Sequence, residues 1–168
     1  MQVYLALYAV KDNTRYFLLG FKKEYYNEKS KRKGIKLHGA KKFCFPGGKL
    51  EGGEIICSGA IREFKEETGC TLENVVKSFT PVSPDENKIY SVVFAETSYE
   101  NLENINSKAC YNLSSPDRES KGIHNELQYV KIFPENEARA EFQTGGNDTD
   151  WFLIAMNSFF EINTLSKS

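Results

Sequence analysis

Long apolar runs are absent from this sequence. No stretch approaches the roughly 18 residues that a membrane-spanning helix needs, and no signal-peptide pattern opens the chain. The four cysteines form no C-x-x-C pair, which argues against a structural zinc site and favours buried free thiols. We therefore expect a soluble, cytoplasmic protein that contacts no membrane.

The sequence also lacks an internal repeat and an interdomain linker. Of its 168 residues, 40% are apolar and 27% are charged, which are ordinary values for a globular protein. That length is sufficient for one domain with a real hydrophobic core. We predict a single domain over residues 1–168.

Positive charge is concentrated in one segment, although the net charge of the chain is only −1. Residues 22–42 hold nine basic side chains against two glutamates, which gives this segment a net charge of +7. One interpretation is a hydrated surface loop. The other is a loop that neutralises a polyanionic substrate, and on that interpretation Arg32, Lys41 and Lys42 bind substrate.

Apolar and β-prone stretches predict several strands. Residues 2–10 and 16–21 flank a cluster of turn residues and predict a β-hairpin. Further strands are predicted over residues 43–45, 71–80, 88–95 and 126–133.

The region after residue 95 combines an irregular segment with two helices. Residues 96–125 are polar, show no clear periodicity and predict a long irregular insertion. Pro134 is tolerated in a first helical turn and starts a short helix. Asp148 or Thr149 caps a final helix whose apolar side includes Trp151.

A central helix is predicted over residues 55–68, which contain no proline. Cys57, Ile61, Phe64 and Thr68 recur at the spacing of one helix face and form a stripe that faces the core. Because strands precede and follow this helix and a second helix lies near the end, we predict an α/β fold, an α/β/α sandwich around a mixed β-sheet.

Three glutamates occupy a different face of the central helix. Glu63, Glu66 and Glu67 lie at positions i, i+3 and i+4, so their carboxylates repel one another. A divalent cation removes that conflict, and oxygen ligands suit Mg²⁺, or Mn²⁺ in its place, rather than zinc. The alternative is a solvated acidic face with Arg62 neutralising one carboxylate.

A glycine-rich approach precedes the helix. Residues 46–48, Pro-Gly-Gly, predict a sharp turn after a short buried strand. Glycine lets backbone groups approach a phosphate or a metal, so Gly47 and Gly48 are candidate substrate-binding residues. The strand, the glycine loop and the acidic helix together predict a site for a metal ion and a diphosphate.

The stretch from Gly48 to Cys70 satisfies the pattern G-x5-E-x7-R-E-U-x-E-E-x-G-U, where U is a bulky apolar residue. With this complete pattern, the chain resembles the Nudix hydrolase family. The resemblance implies that Glu66 and Glu67 ligate Mg²⁺, and that Glu63 is a third ligand or the base that activates water. It also makes the backbone carbonyl of Gly47 a further ligand.

Residues beside these ligands also have roles by resemblance. Arg62 and Glu54 are expected to form an ion pair that orients the carboxylates. Glu126, just before a predicted strand, is a candidate metal ligand or base, and the alternative is an ordinary strand-end glutamate. His124 is a candidate for proton transfer, and the alternative is a surface histidine.

The resemblance implies hydrolysis of a nucleoside diphosphate linked to another moiety, through attack of water on phosphorus. Nucleoside triphosphates, nucleotide sugars such as ADP-ribose, dinucleotides and 5′-phosphorylated RNA are all left open as substrates, and a homodimer is left open. The alternative class of protein is a catalytically silent Nudix-like module that binds a nucleotide or an RNA end and regulates another process. Every carboxylate of the motif is present, which favours the enzyme.

Overall fold

A computed structural model describes residues 1–25, 34–73, 79–83, 87 and 89–166, with side chains as far as residue 161. Within these ranges the elements are β1 Gln2–Lys11, β2 Thr14–Lys22, β3 Phe43–Cys44, β4 Gly47–Lys49, α1 Ile56–Thr68, β5 Thr80–Val82, β6 Tyr90–Glu96, α2 Tyr99–Ser114, β7 Leu127–Pro134, α3 Glu135–Thr144 and α4 Asp150–Ser166, with a 3₁₀ turn at Gly146–Asp148 before α4. None of the described helices is both long and apolar enough to cross a membrane.

β1 and β2 form the predicted hairpin through a two-residue turn. Asp12 and Asn13 have φ angles of 51° and 62°, the conformation that matches the right-handed twist of the flanking strands. Asparagine and aspartate tolerate this conformation better than other residues that carry a side chain. The two strands pair only near the turn, from Tyr8 opposite Phe17 to Lys11 opposite Thr14.

Beyond that short pairing, the two strands take other partners. β1 pairs with β4 through Gln2 to Tyr4, while β2 pairs with β3 on one edge and with β7 on the other. β1 also pairs in parallel with β6, and β5 continues the sheet in the antiparallel sense. The result is a mixed sheet in which β4 brings two glycines to the edge of β1.

Helices cover both faces of the sheet. Tyr4 and Tyr8 of β1 pack edge-on against aromatic rings of α4. Because side chains alternate along a strand, Val3, Leu5 and Leu7 point to the opposite face of the sheet. All three are fully buried, and both α1 and α2 contact β1. The predicted α/β fold, with helices on both sides of a mixed sheet, is confirmed.

The prediction of an irregular insertion over residues 96–125 is wrong for its first half. Tyr99–Ser114 form α2, and the Ser98 side chain accepts a hydrogen bond from the Asn101 amide at 3.1 Å as an N-cap. The buried residues of α2 are Leu102, Ile105, Ala109 and Leu113, which share one helix face. Asparagine, serine and other polar residues lie between these apolar positions, so the composition of the segment suggested a loop.

Three smaller predictions also differ from the structure. Gly47 and Gly48 belong to strand β4 rather than to a sharp turn. The two side chains predicted to cap α4 bind elsewhere: the Thr149 hydroxyl donates to the Phe142 carbonyl at 2.5 Å, and Asp148 pairs with Lys42. Of the strand predicted at 71–80, residues 71–73 and 79 are not in a strand and Thr80 begins β5, while residues 74–78 lie outside the described part of the chain.

Candidate functional site

Helix α1 has one face in the core and ends on a glycine. Ala60, Phe64 and Thr68 are fully buried, and the Thr68 hydroxyl donates to the Phe64 carbonyl at 2.6 Å. Gly69 terminates the helix with a φ of 74° and donates its amide to the Lys65 carbonyl. Ile61, predicted to lie in the core stripe, is only partly buried.

Two glutamates of α1 are buried beside that core face. Glu63 and Glu67 are 8% and 2% exposed, whereas Glu66 remains partly open to solvent. The alternative interpretation of a solvated acidic face is therefore wrong for Glu63 and Glu67. Buried carboxylates require compensation by hydrogen bonds or positive charge, which makes this face unlike an ordinary surface.

The two glycines of β4 lie directly against the buried glutamates. The Gly47 amide donates a hydrogen bond to Oε2 of Glu67 at 3.0 Å. A Cβ at Gly48 would come within 2.6 Å of the carboxyl carbon of Glu63, and one at Gly47 within 2.7 Å of the Tyr4 Cα. At Gly47 the added atom would meet backbone atoms, so only glycine fits there. At Gly48 it would meet the carboxyl end of the Glu63 side chain, so both glycines reflect the close packing of β4.

Arg62 joins the acidic residues. It forms the predicted pair with Glu54 through two hydrogen bonds, Nε to Oε2 at 2.8 Å and Nη2 to Oε1 at 3.1 Å. Its Nη1 also donates to Glu63 and to Glu66, both at 3.0 Å. The hydrogen bond from Arg62 lowers the pKa of Glu54, and the same contact raises the pKa of Arg62. One guanidinium therefore holds three carboxylates in place.

Burial dominates the electrostatics of the two inner glutamates. It raises the pKa of Glu67 well above the usual range, and the charge of Glu126 raises it further, while Lys22 acts in the opposite direction. Burial also raises the pKa of Glu63, although the hydrogen bond from Arg62 lowers it. Additional positive charge would stabilise the ionised form of both groups.

The segment before β7 approaches the same carboxylates. The His124 amide donates to the Glu66 carbonyl at 2.7 Å, and Nδ1 of His124 lies 3.8 Å from Oε2 of Glu66. The Glu126 carbonyl accepts a hydrogen bond from the Lys23 amide at 2.9 Å. His124 thus lies beside Glu66 of α1, and the charge of Glu126 acts on Glu67.

A cavity of about 480 Å³ lies in front of these residues. Gly47, Gly48 and Glu126 line it on the side of the acidic cluster. The other walls are aromatic or basic and include Tyr4, Tyr90, Trp151, Lys22, His38 and Lys49. Sequence reasoning missed the aromatic wall, because its members come from β1, β6 and α4 and share no local pattern.

Two residues of the basic segment that were predicted to bind substrate form ion pairs, and their role in substrate binding stays a prediction. Lys42 forms an ion pair with Asp148 at 2.6 Å, and Lys41 forms one with Glu24 at 3.2 Å. Neither is among the residues that line the cavity, whereas Lys22 is. Arg32 lies outside the described residues, so its predicted role stays a prediction.

Comparison of the sequence with models of known protein families finds a match. The model of the NUDIX domain matches residues 27–149. The chain belongs to the Nudix family. Among curated proteins, none matches the sequence.

Solved structures of Nudix proteins have the same fold. A mutT/nudix family protein from Listeria innocua superposes with a TM-score of 0.55 at 19% identity, over 98% of this chain and 94% of that chain. The Nudix hydrolase RenU from M. smegmatis gives 0.53 at 14% identity, over 94% and 86%. An Ap4A hydrolase from C. elegans gives 0.50 at 17% identity, over 94% and 99%. At these identities the likeness shows the shared fold.

Three carboxylates of the Nudix box, together with that of Glu126, have the donor chemistry for a hard divalent cation. Glu63, Glu66, Glu67 and Glu126 offer oxygen ligands, the type preferred by Mg²⁺. Within the described ranges no three acidic, histidine or cysteine side chains already converge as a complete metal cluster, and Arg62 bridges Glu63 and Glu66 instead. The residues fit such a cation in type, since its positive charge would compensate the same carboxylates that Arg62 binds here.

Proposed function

We propose that this chain is a metal-dependent Nudix hydrolase that cleaves a phosphoric anhydride bond of a nucleotide-type substrate. One observation carries the proposal: buried Glu63 and Glu67 lie directly behind the two glycines that line the cavity, with Glu126 in the same wall. A row of carboxylates behind an unhindered backbone suits a metal-bound diphosphate.

The residues that would hold the metal are Glu63, Glu66, Glu67 and Glu126, with the Gly47 carbonyl. A bound Mg²⁺, or Mn²⁺ in its place, would neutralise phosphate oxygens and lower the pKa of a bound water. The protein itself fixes the positions of the carboxylates. The Gly47 amide fixes Oε2 of Glu67, so that carboxylate has a defined orientation before any ligand binds.

Arg62 acts as an internal counter-charge. Its paired hydrogen bonds to Glu54 anchor the guanidinium at one end, and the opposite amino group reaches Glu63 and Glu66. Because the two hydrogen bonds to Glu54 are separate from the contacts to Glu63 and Glu66, they would hold Arg62 in place if Glu63 and Glu66 held a cation. In this scheme, Glu54 and Arg62 orient the carboxylates and do not contact the substrate.

Glu126 is our candidate for the base that takes a proton from the attacking water. It lines the cavity, and it is outside the set of carboxylates that Arg62 binds. Glu63 is the other candidate, but its carboxylate is engaged by Arg62. Products would leave as a nucleoside monophosphate and a phosphorylated remainder.

The walls of the cavity support a nucleotide-type substrate. Tyr90 and Trp151, whose ring centroids lie 4.2 Å apart, form an apolar side suited to a planar base. Lys22 and Lys49 also line the cavity and add positive charge that would attract phosphate groups. The volume of about 480 Å³ falls in the range of small-molecule sites.

A substrate panel tests the proposal. Purified protein with Mg²⁺ would be incubated with nucleoside triphosphates, ADP-ribose, a dinucleoside polyphosphate such as Ap4A and a 5′-triphosphorylated RNA, with product identification by liquid chromatography and mass spectrometry. We expect a nucleoside monophosphate product from at least one compound and loss of turnover in excess EDTA. Full turnover with EDTA would contradict the mechanism, and no turnover of any compound would favour the silent regulatory module.

A further inference from the structure

Arg118 is buried in the turn between α2 and β7, with only 5% of its surface exposed. Its guanidinium donates hydrogen bonds to three backbone carbonyls, those of Leu113 at 3.1 Å, Leu127 at 3.0 Å and His124. Its buried Nε has no hydrogen-bond partner among the described residues. Burying a charged group is unfavourable unless its contacts compensate, so those contacts indicate what the arginine does.

The three carbonyls come from two separate parts of the chain. Leu113 is in the last turn of α2, whereas His124 and Leu127 stand on either side of Glu126. A planar guanidinium carries five donors in a fixed fork, and it is the side chain best suited to hold several acceptors at once. Arg118 therefore ties the end of α2 to the backbone on both sides of Glu126.

Other contacts hold the segment around Glu126 on its remaining sides, and they include the Asn125 side chain, which binds Lys23 and Glu119. The His124 amide binds the Glu66 carbonyl of α1 at 2.7 Å, and the Glu126 carbonyl binds the Lys23 amide at 2.9 Å. Those two bonds fix the segment on the sides of α1 and β2. The side facing α2 is fixed by the Arg118 guanidinium.

We propose that Arg118 is a positioning residue, which fixes the backbone around Glu126 and thereby directs that carboxylate toward Glu67. The inference rests on the proposed function, in which Glu126 is a base or a metal ligand. Burial lowers the pKa of Arg118, and the charges of Glu119 and Glu67 act in the opposite direction. Arg118 is not among the residues that line the cavity, so it is a positioning residue rather than one that contacts the substrate.

Substitution of Arg118 by lysine and by methionine tests the inference. Lysine keeps the charge but cannot bind three separated carbonyls with the same geometry, and methionine removes both charge and donors. Arg139 on α3 offers a matched control, since its guanidinium binds the Asn157 side chain at 2.7 Å away from the site. Arg139→Lys and Arg139→Met would be measured beside the Arg118 variants.

We expect Arg118→Met to lower kcat by about 10-fold or more with little change in KM, because small misplacement of a catalytic group is costly. Arg118→Lys should recover part of the loss, and the Arg139 variants should keep their kcat. In a Glu126→Gln background the effect of Arg118→Lys on kcat should largely vanish, since the two residues act as a unit. An unchanged kcat in folded Arg118→Lys, or a full additive loss in the Glu126→Gln background, would overturn the inference.

Hydrogen exchange separates this inference from the hydrolase proposal. Amides of residues 123–127 should exchange faster in Arg118→Lys than in the wild type and stay unchanged in Arg139→Lys, whether or not the protein hydrolyses any compound. Equal exchange in Arg118→Lys and wild type would overturn the positioning role. If Arg118→Met does not fold, kcat and hydrogen exchange are both measured on Arg118→Lys.

Discussion

The carboxyl group of Glu63 occupies the space beside the Gly48 Cα, where a methyl group would come within 2.6 Å of the carboxyl carbon. The Glu63 side chain is flexible at that end, so Gly48→Ala should displace the carboxylate and leave the fold intact. We expect kcat to fall by about 10-fold or more with a small change in melting temperature. Gly52→Ala, with open space around the added methyl, is the control and should keep full activity. Equal activity of the two variants would contradict the role of Glu63.

Glu67→Gln removes a charge that is buried beside the Gly47 amide. If Glu67 is a metal ligand, kcat should drop by about 100-fold or more, with substrate binding much less affected. The melting temperature should not fall, because burial disfavours the charged form of Glu67. Glu103→Gln, on the exposed face of α2, is a matched control for kcat. A near-normal kcat for Glu67→Gln would remove Glu67 from the mechanism.

Trp151 is the only tryptophan of the chain and lines the cavity, so its fluorescence reports on binding. We expect AMP or another nucleoside monophosphate to change its emission, while ribose 5-phosphate at equal concentration has little effect, because the base is the group placed beside Tyr90 and Trp151. Trp151→Phe should raise KM more than it lowers kcat. Unchanged emission at nucleotide concentrations that inhibit turnover would place the base elsewhere.

Asp148 links stability to pH through Lys42. The hydrogen bond from Lys42 lowers the pKa of Asp148 below its value in an unfolded chain. The stabilisation is therefore fully present above the unfolded pKa, near 4, and is lost as the pH falls through the folded pKa. Since both partners are about one third exposed, we expect Asp148→Asn to cost about 1 kcal/mol or less at pH 7. The difference in unfolding free energy between wild type and Asp148→Asn should shrink below about pH 4. A difference that stays constant with pH would contradict the pairing. Asp12→Asn, in the hairpin turn, is the control.

The basic residues Lys31, Arg32 and Lys33 are predicted to capture substrate through long-range charge. Neutralising all three should raise KM for polyphosphate compounds and flatten its salt dependence, while kcat stays nearly constant, since exposed charges act over about 8 Å at physiological ionic strength. Steady-state kinetics over a range of salt concentrations measures this. An unchanged KM and salt response would favour a hydrated loop with no role in binding.

The sequence predicted the features that depend on near neighbours. The placement of Glu63, Glu66 and Glu67 on one helix face follows from helix periodicity. The pair between Arg62 and Glu54, eight residues apart, was implied by the resemblance to the Nudix family. The β-hairpin was predictable because Asp12 and Asn13 provide its turn. The helix α2 was not predicted, although Leu102, Ile105, Ala109 and Leu113 share one face, because polar residues between them hid the period.

The sequence by itself determined the acidic motif, the order of most elements and the family. Only the tertiary structure decided that Glu67 is buried against the Gly47 amide, that Tyr90 and Trp151 share a cavity, and that Arg118 holds the backbone around Glu126. The first two contacts join residues that are 20 and 61 positions apart. The third is made to backbone carbonyls, which are the same in every residue and therefore leave no pattern in the sequence. Periodicity reports which residues share one element, whereas burial and charge compensation depend on which elements meet, and sheet pairing and helix packing determine that.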